Sequence, residues 1–136
     1  MMGYKYLGSL GALENTKPVG DEECVRLVQH FANAPATSLW KPGARVLDTA
    51  NIPAGTAIAT FAGPTARYKN AHGNHAALFM SAGPADQDGK PAYIVVLDQW
   101  KSRNIKARTI KRYSPDQAKA KGIADSDNAE AFYIIR

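Results

Sequence analysis

Three side chains of this sequence have the types and positions to do nucleophilic chemistry together: Cys24, His75 and Asp98. Cys24 is the sole cysteine, so it makes no internal disulfide and is either a small buried hydrophobe or a chemical group. Cys24, Val28 and Phe31 recur at helical spacing with Leu27 beside them, and taken alone that stripe fits packing. Its place in the first turn of the helix favours the chemical reading, because unpaired N–H groups and the helix dipole stabilise a thiolate there. His75 directly precedes the apolar run Ala76-Ala77-Leu78-Phe79-Met80, which gives its imidazole a fixed place at a strand start. His72, between Ala71 and Gly73, falls in a turn instead. The run Tyr93-Ile94-Val95-Val96-Leu97 ends at Asp98-Gln99-Trp100, offering a carboxylate or an amide to orient an imidazole. Thiol, imidazole and carboxylate would then be nucleophile, general base and the group that holds the base in one tautomer.

These residues need a helix and a sheet to bring them together. Asp21 after Gly20 is a candidate N-cap, Glu22 and Glu23 suit the positive helix end, and the pattern predicts a helix over 22–32 that Pro35 keeps from extending. Strands are predicted over 44–48, 56–61, 76–81, 92–97, 105–111 and 131–135, bounded by Gly, Pro, Asn or Asp. Asp86-Gln87-Asp88-Gly89 has the composition of a hairpin loop, and Ser114-Pro115 followed by Gly122 brackets a short helix over 116–121. A helix followed by antiparallel strands is an α+β fold with the N-terminal helix packed on the sheet, and the expectation is one domain over 1–136. His30, six residues past Cys24, falls on the far, solvent side of the helix.

Composition narrows the function classes. A chain of 136 residues with 45% hydrophobic content should bury roughly two thirds of its unfolded surface, so no structural metal or disulfide is needed. One cysteine and three histidines cannot build a cysteine-rich zinc site, and the thiol–imidazole–carboxylate chemistry, if it holds, implies neither a metal nor an organic cofactor. No apolar run reaches the ~18 residues of a membrane span, and Glu14 interrupts the start before a signal-peptide core forms, so a protein made in the cytoplasm is expected. The net charge of +5 is uneven: residues 101–121 carry eight Lys or Arg against Asp116 alone. That window suits either a solvated surface or an anionic polymer, and nucleic acid is disfavoured because only Trp100 and Tyr113 flank it as stacking aromatics.

Taken in order, three segments resemble the CHAP and NlpC type cysteine amidases and peptidases, relatives of papain that cut bacterial cell-wall peptides. They are Val19-Gly20-Asp21-Glu22-Glu23-Cys24-Val25, Gly73-Asn74-His75-Ala76-Ala77-Leu78-Phe79 and Val95-Val96-Leu97-Asp98-Gln99-Trp100. Trp40-Lys41-Pro42-Gly43 and Ile52-Pro53-Ala54-Gly55 also look like family turns. The resemblance implies a papain-like fold, Cys24 and His75 as catalytic pair, and a third residue among Asp98, Gln99 and Asn104, since Trp100 stands where asparagine is common. It further implies Trp40, Gln99 and Trp100 as substrate-binding residues, and the Cys24 N–H as one oxyanion donor with the second unassigned. Tyr4 and Tyr6 could line the cleft, although an alternating pair is also simple packing. The implied substrate is a peptidoglycan peptide, reached by export to the wall or periplasm of a target bacterium, for instance by type VI secretion, with an immunity protein as possible partner. A competing expectation is an inactive papain-like module that holds an anionic partner through residues 101–121.

Overall fold

The computed structural model describes residues 3–136. One six-stranded sheet organises the chain, with strands β1 (Pro42–Arg45), β2 (Ala57–Thr60), β3 (Ala76–Ala82), β4 (Tyr93–Trp100), β5 (Arg103–Lys111) and β6 (Phe132–Ile135). Their spatial order is β1-β6-β2-β3-β4-β5, and all neighbours pair antiparallel. Helix α1 (Cys24–Ala32) precedes the strands, and the short helix α2 (Pro115–Lys121) lies between β5 and β6. The last strand thus inserts between β1 and β2, a placement that no local pattern specifies.

Alternation of side chains along each strand separates two apolar faces. On one face Val25, Leu27 and Val28 of α1 pack with Ala57, Leu78, Leu97 and Trp40. On the other, Ile58, Phe79, Val96 and Ile134 are covered by Val46 and Leu47. The four residues of β2 and of β6 are all buried, as expected of central strands covered on both sides.

Several boundaries differ from the sequence-based expectation by one to three residues, β5 for instance starting at Arg103 and not at 105, and three of the differences have a clear local reason. The first helix begins at Cys24, with Glu23 at the N-cap and no side-chain cap. Glu22 has φ +72°, outside the helical region, so the helix cannot start earlier. Asp21 does not cap it; its carboxylate accepts the Glu23 N–H at 3.1 Å and pairs with Arg26 at 3.2 Å. The first strand covers Pro42–Arg45, and a single 3-10 turn over Val46–Asp48 follows. Val46 and Leu47 are consecutive and both buried, which a turn allows and an alternating strand does not. The fourth strand runs on to Trp100, so Asp98 and Gln99 lie within it. Helix α2 forms as expected, with a reciprocal Ser114–Gln117 capping box and Gly122 left-handed at its end.

Candidate active site

The register of β3 and β4 accounts for the meeting of His75 and Asp98. Leu78 lies opposite Leu97. Continuing that ladder puts Ala77 beside Asp98, and His75, two residues earlier, on the same face as its diagonal neighbour. His75 Nε2 lies 2.7 Å from Asp98 Oδ2, with His75 at 6% exposure and Asp98 fully buried. The His75 N–H of the main chain donates to Thr60 Oγ1 at 3.0 Å, and Thr60 N donates to the His75 carbonyl at 2.9 Å, so the imidazole hangs from a fixed backbone.

Asp98 also accepts from Arg108 Nε at 2.8 Å through Oδ2 and from Arg103 Nη1 at 2.9 Å through Oδ1. Burial pushes its carboxyl up, but hydrogen bonding and charge from His75 and Arg108 outweigh that and keep it ionised below the usual carboxylate range. His75 responds in kind. Burial lowers the imidazole, while hydrogen bonds to Asp98 and to Cys24 and the charges of both push it up to about 9. Because Nε2 faces Asp98, Nδ1 is the nitrogen left for the sulfur.

Cys24 is half-buried at the first position of α1, against the helix-side core. Burial pushes the thiol up; the His75 hydrogen bond and charge and the Ala76 N–H prevail, and the thiol lies below its ordinary value. Glu23 opposes them by charge. The other two acids before the cysteine are engaged elsewhere: Asp21 pairs with Arg26, and Glu22 accepts the Ser102 N–H at 2.9 Å. A neighbour of the sulfur that the sequence pattern does not mark is Tyr68, which is 8% exposed and whose ring contacts Trp40 at 4.7 Å and Phe61 at 5.9 Å between centroids. Burial, followed by the charge of Cys24 and a hydrogen bond to it, raises the Tyr68 phenol far above its ordinary value, so it stays a donor beside the sulfur. It belongs to an irregular stretch between β2 and β3, where neither periodicity nor spacing distinguishes a functional residue.

The profile of a family described as domesticated amidase effector 2 matches residues 9–135. The chain belongs to that family. A protein of Salmonella typhi described as type VI secretion amidase effector 2 is 39% identical over 142 residues, spanning 98% of this chain and 99% of the relative. The solved structure of type 6 secretion amidase effector 2 (Tae2) superposes with a TM-score of 0.77 at 35% identity, covering 98% of this chain and 94% of the other. Its likeness extends to the α+β architecture with a six-stranded antiparallel sheet described above.

The other candidate residues divide by burial and hydrogen bonding. Gln99 is fully buried, and its amide is engaged with main chain: Oε1 accepts from Val19 N at 2.9 Å, while Nε2 donates to the Val19 and Glu23 carbonyls at 3.1 and 2.9 Å. It ties β4 to the segment leading into Cys24 and offers nothing to a substrate. Trp40 is 1% exposed and donates through Nε1 to the Pro35 carbonyl at 2.8 Å, which makes it a core residue behind Tyr68. Trp100 alone of the three presents a surface, at 43% exposure, with its ring 6.4 Å from that of His75 and Arg103 stacked 3.8 Å over it. Asn104 donates to the Asn15 carbonyl at 3.2 Å on an exposed surface, away from the imidazole. His72 and His30 are exposed, the His30 ring lying edge-on to Phe31 at 4.6 Å, and Tyr6 packs edge-on against the same Phe31 at 5.4 Å. His30 thus lies on the solvent side of the helix, as its spacing from Cys24 predicts. Among the described residues no group of His, Cys, Asp and Glu could hold a metal ion. A cavity of about 600 Å³ beside Phe79–Ala82 and Leu47–Ile52 lies at the opposite end of β3 from His75.

The basic window is not one patch. Arg103 and Arg108 hold Asp98, and Arg112 pairs with Asp88 and Glu130. Lys101, Lys106, Lys111, Lys119 and Lys121 are exposed. Within β5, Lys106 and Arg108 share the face of Asp98, whereas Lys111 is on the other, because successive side chains alternate. Arg108 therefore belongs with the His75–Asp98 pair and not with the solvated lysines.

Proposed function

We propose that this protein is a type VI secretion amidase effector that hydrolyses a peptide bond of peptidoglycan, with Cys24 as nucleophile, His75 as general base and acid, and Asp98 as the carboxylate orienting His75. The observation that carries this reading is the buried 2.7 Å contact between Asp98 and His75 Nε2, which leaves Nδ1 for a thiol already below its ordinary pKa. Membership of an amidase effector family and the 39% identical secretion effector support the substrate class and the route. The helix-first arrangement against the sheet is consistent with a papain-like fold.

In the first half-reaction the Cys24 thiolate forms a C–S bond to the substrate carbonyl carbon, and the carbonyl π electrons move to oxygen. The Cys24 N–H, which as the first helical amide has no intrahelical acceptor, faces that oxygen as one donor. Tyr68 O–H supplies a second: it bonds the thiolate at rest and is released when the sulfur becomes bonded to carbon. The C–N bond then breaks as the imidazolium of His75 protonates the departing amine. Water next attacks the thioester, His75 takes its proton, and the C–S bond breaks to return the thiolate and a carboxylic acid. Export brings the enzyme to its substrate, and an immunity protein covering this cleft would guard the producing cell.

Purified peptidoglycan digested with the protein should release fragments whose masses identify the new amine and acid ends. A folded protein that binds peptidoglycan and releases none would instead fit the inactive binding module.

The pH dependence has a definite form. The rate should rise as the thiol ionises below its ordinary value of 9.0 and fall near pH 9 as His75 loses the proton required by the leaving amine. Stability follows the same imidazole. His75 is raised in the folded state, so its contribution is full below the unfolded value of 6.5 and is lost as pH climbs through about 9. A rate still climbing at about pH 10.5 would contradict a protonated His75 as the acid.

Surface charge gives a second expectation. Lys106→Glu with Lys111→Glu should weaken retention on whole cell wall, with the loss shrinking as salt rises, and leave hydrolysis of a short soluble peptide fragment nearly unchanged. Arg108→Glu should impair both substrates, because it places a carboxylate against Asp98. Equal loss on the soluble fragment for the lysine pair would show that those lysines support the cleft instead.

A further inference from the structure

Seven arginines occur in the chain, and five of them, Arg26, Arg45, Arg103, Arg108 and Arg112, form ion pairs with Asp or Glu. The two without an acidic partner among the described residues are Arg67 and Arg136, and both line one groove of about 450 Å³. Lys41 lines it too, and no Asp or Glu side chain does. Arg136 has a fixed backbone, held to Lys41 by reciprocal hydrogen bonds of 2.8 and 2.7 Å. Arg67 immediately precedes Tyr68, the phenol beside the Cys24 sulfur. Trp40, buried beneath the floor of the groove, packs against the Tyr68 ring at 4.7 Å between centroids. The groove therefore adjoins the nucleophile through one layer of aromatic side chains. Its apolar part includes Leu39, a large hydrophobic residue left 63% exposed, and Pro64.

Guanidinium groups unpaired by any Asp or Glu side chain, beside exposed apolar surface, match a short peptide that carries a free carboxylate. We infer that the groove between the Trp40–Pro42 and Pro64–Arg67 segments is a substrate subsite in which Arg67 and Arg136 bind a carboxylate of the peptide whose amide bond Cys24 attacks. This inference rests on the amidase reading and deepens it: cleavage would favour peptide stems bearing a free carboxylate over stems in which that group is amidated. Guanidinium forks take a planar carboxylate in a bidentate way, so the groove would select by chemistry as well as by charge.

Two soluble peptidoglycan fragments that differ only in a free or an amidated stem carboxylate provide the test. The unaltered protein should show a lower KM for the free acid by about ten-fold at low salt, a preference that narrows as salt rises. Arg67→Gln with Arg136→Gln should erase the preference by raising KM for the free acid, with kcat on both fragments retained. The charge-matched pair Lys119→Gln with Lys121→Gln, on the exposed side of α2, should keep the preference. No preference in the unaltered protein, or an equal loss on both fragments in the arginine pair, would overturn the subsite. Calorimetric binding of the same fragments to a Cys24→Ala variant separates the two ideas. If the unaltered protein cuts neither fragment, the amidase reading fails, whereas the subsite stands or falls on whether the free acid binds tighter and loses that advantage in the arginine pair.

Discussion

Cys24→Ser is expected to lower peptidoglycan hydrolysis by at least about 10³-fold while the protein stays folded. The serine hydroxyl remains protonated at neutral pH in surroundings that favour a thiolate, namely the His75 hydrogen bond and charge and the Ala76 N–H. The substitution nearly conserves volume at a half-buried position, so its cost in stability should be at most about 1 to 3 kcal/mol. A cysteine present only for packing behaves differently: the rate would follow the fraction folded. His75→Ala should abolish hydrolysis in parallel, and the double variant should be no slower than either single one, since groups acting as one unit do not add. Alkylation gives an independent measure. Cys24 should react rapidly near neutral pH in the native protein, with activity lost in step, whereas an inert thiol that reacts only on unfolding would remove the nucleophile from the mechanism.

The second large effect is expected at Asp98, where stability and activity are joined. The carboxylate is fully buried and is shared by His75, Arg103 and Arg108. Asp98→Asn keeps the shape but removes the charge, leaving Arg103, largely covered by protein, without its counterion and Arg108 with the exposed Asp127 alone. Removing one partner of a buried pair costs about 3 to 5 kcal/mol, and partial exposure of both guanidinium groups places the loss toward the lower end. Hydrolysis by the folded fraction should fall by about 10² to 10⁴-fold, because an amide can present an N–H where Nε2 requires an acceptor and so favours the wrong tautomer. The alkaline limb of the pH profile should also move to lower pH, since Asp98 is a principal cause of the raised His75 value. Asp98→Asn with Arg108→Met should recover stability and leave activity low. Full activity with an unshifted alkaline limb would mean that Asp98 serves the fold and not the imidazole.

Much of the fold and of the candidate site is legible in the order of residues. Apolar periodicity marks the helix, and alternation between turn residues marks six strands, because local burial demands act within a few residues. Cys24 and His75 stand out because each occupies the end of an element, where a side chain can leave the core without losing a fixed backbone. The helix starts two residues later than its pattern predicts, since Glu22 takes a left-handed backbone and is held by Ser102, eighty residues away.

Sequence order by itself determined an α+β chain with a thiol at a helix start and an imidazole at a strand start. Only the tertiary structure decided between Asp98, Gln99 and Asn104 as neighbour of that imidazole. The three lie within seven residues, and their roles diverge because a strand sends alternate side chains to opposite faces: Asp98 to His75, Gln99 to the backbone before Cys24, and Asn104 to the exposed next strand. The same geometry divided a run of like charges into arginines that hold a buried carboxylate and lysines that face water. Tyr68, Arg67 and Arg136 gained their meaning in three dimensions alone. Pairing of β6 between β1 and β2 carries the chain end to Lys41, and the irregular segment after β2 lays Tyr68 against Trp40, contacts whose energy depends on distant residues and leaves no periodic trace in the sequence.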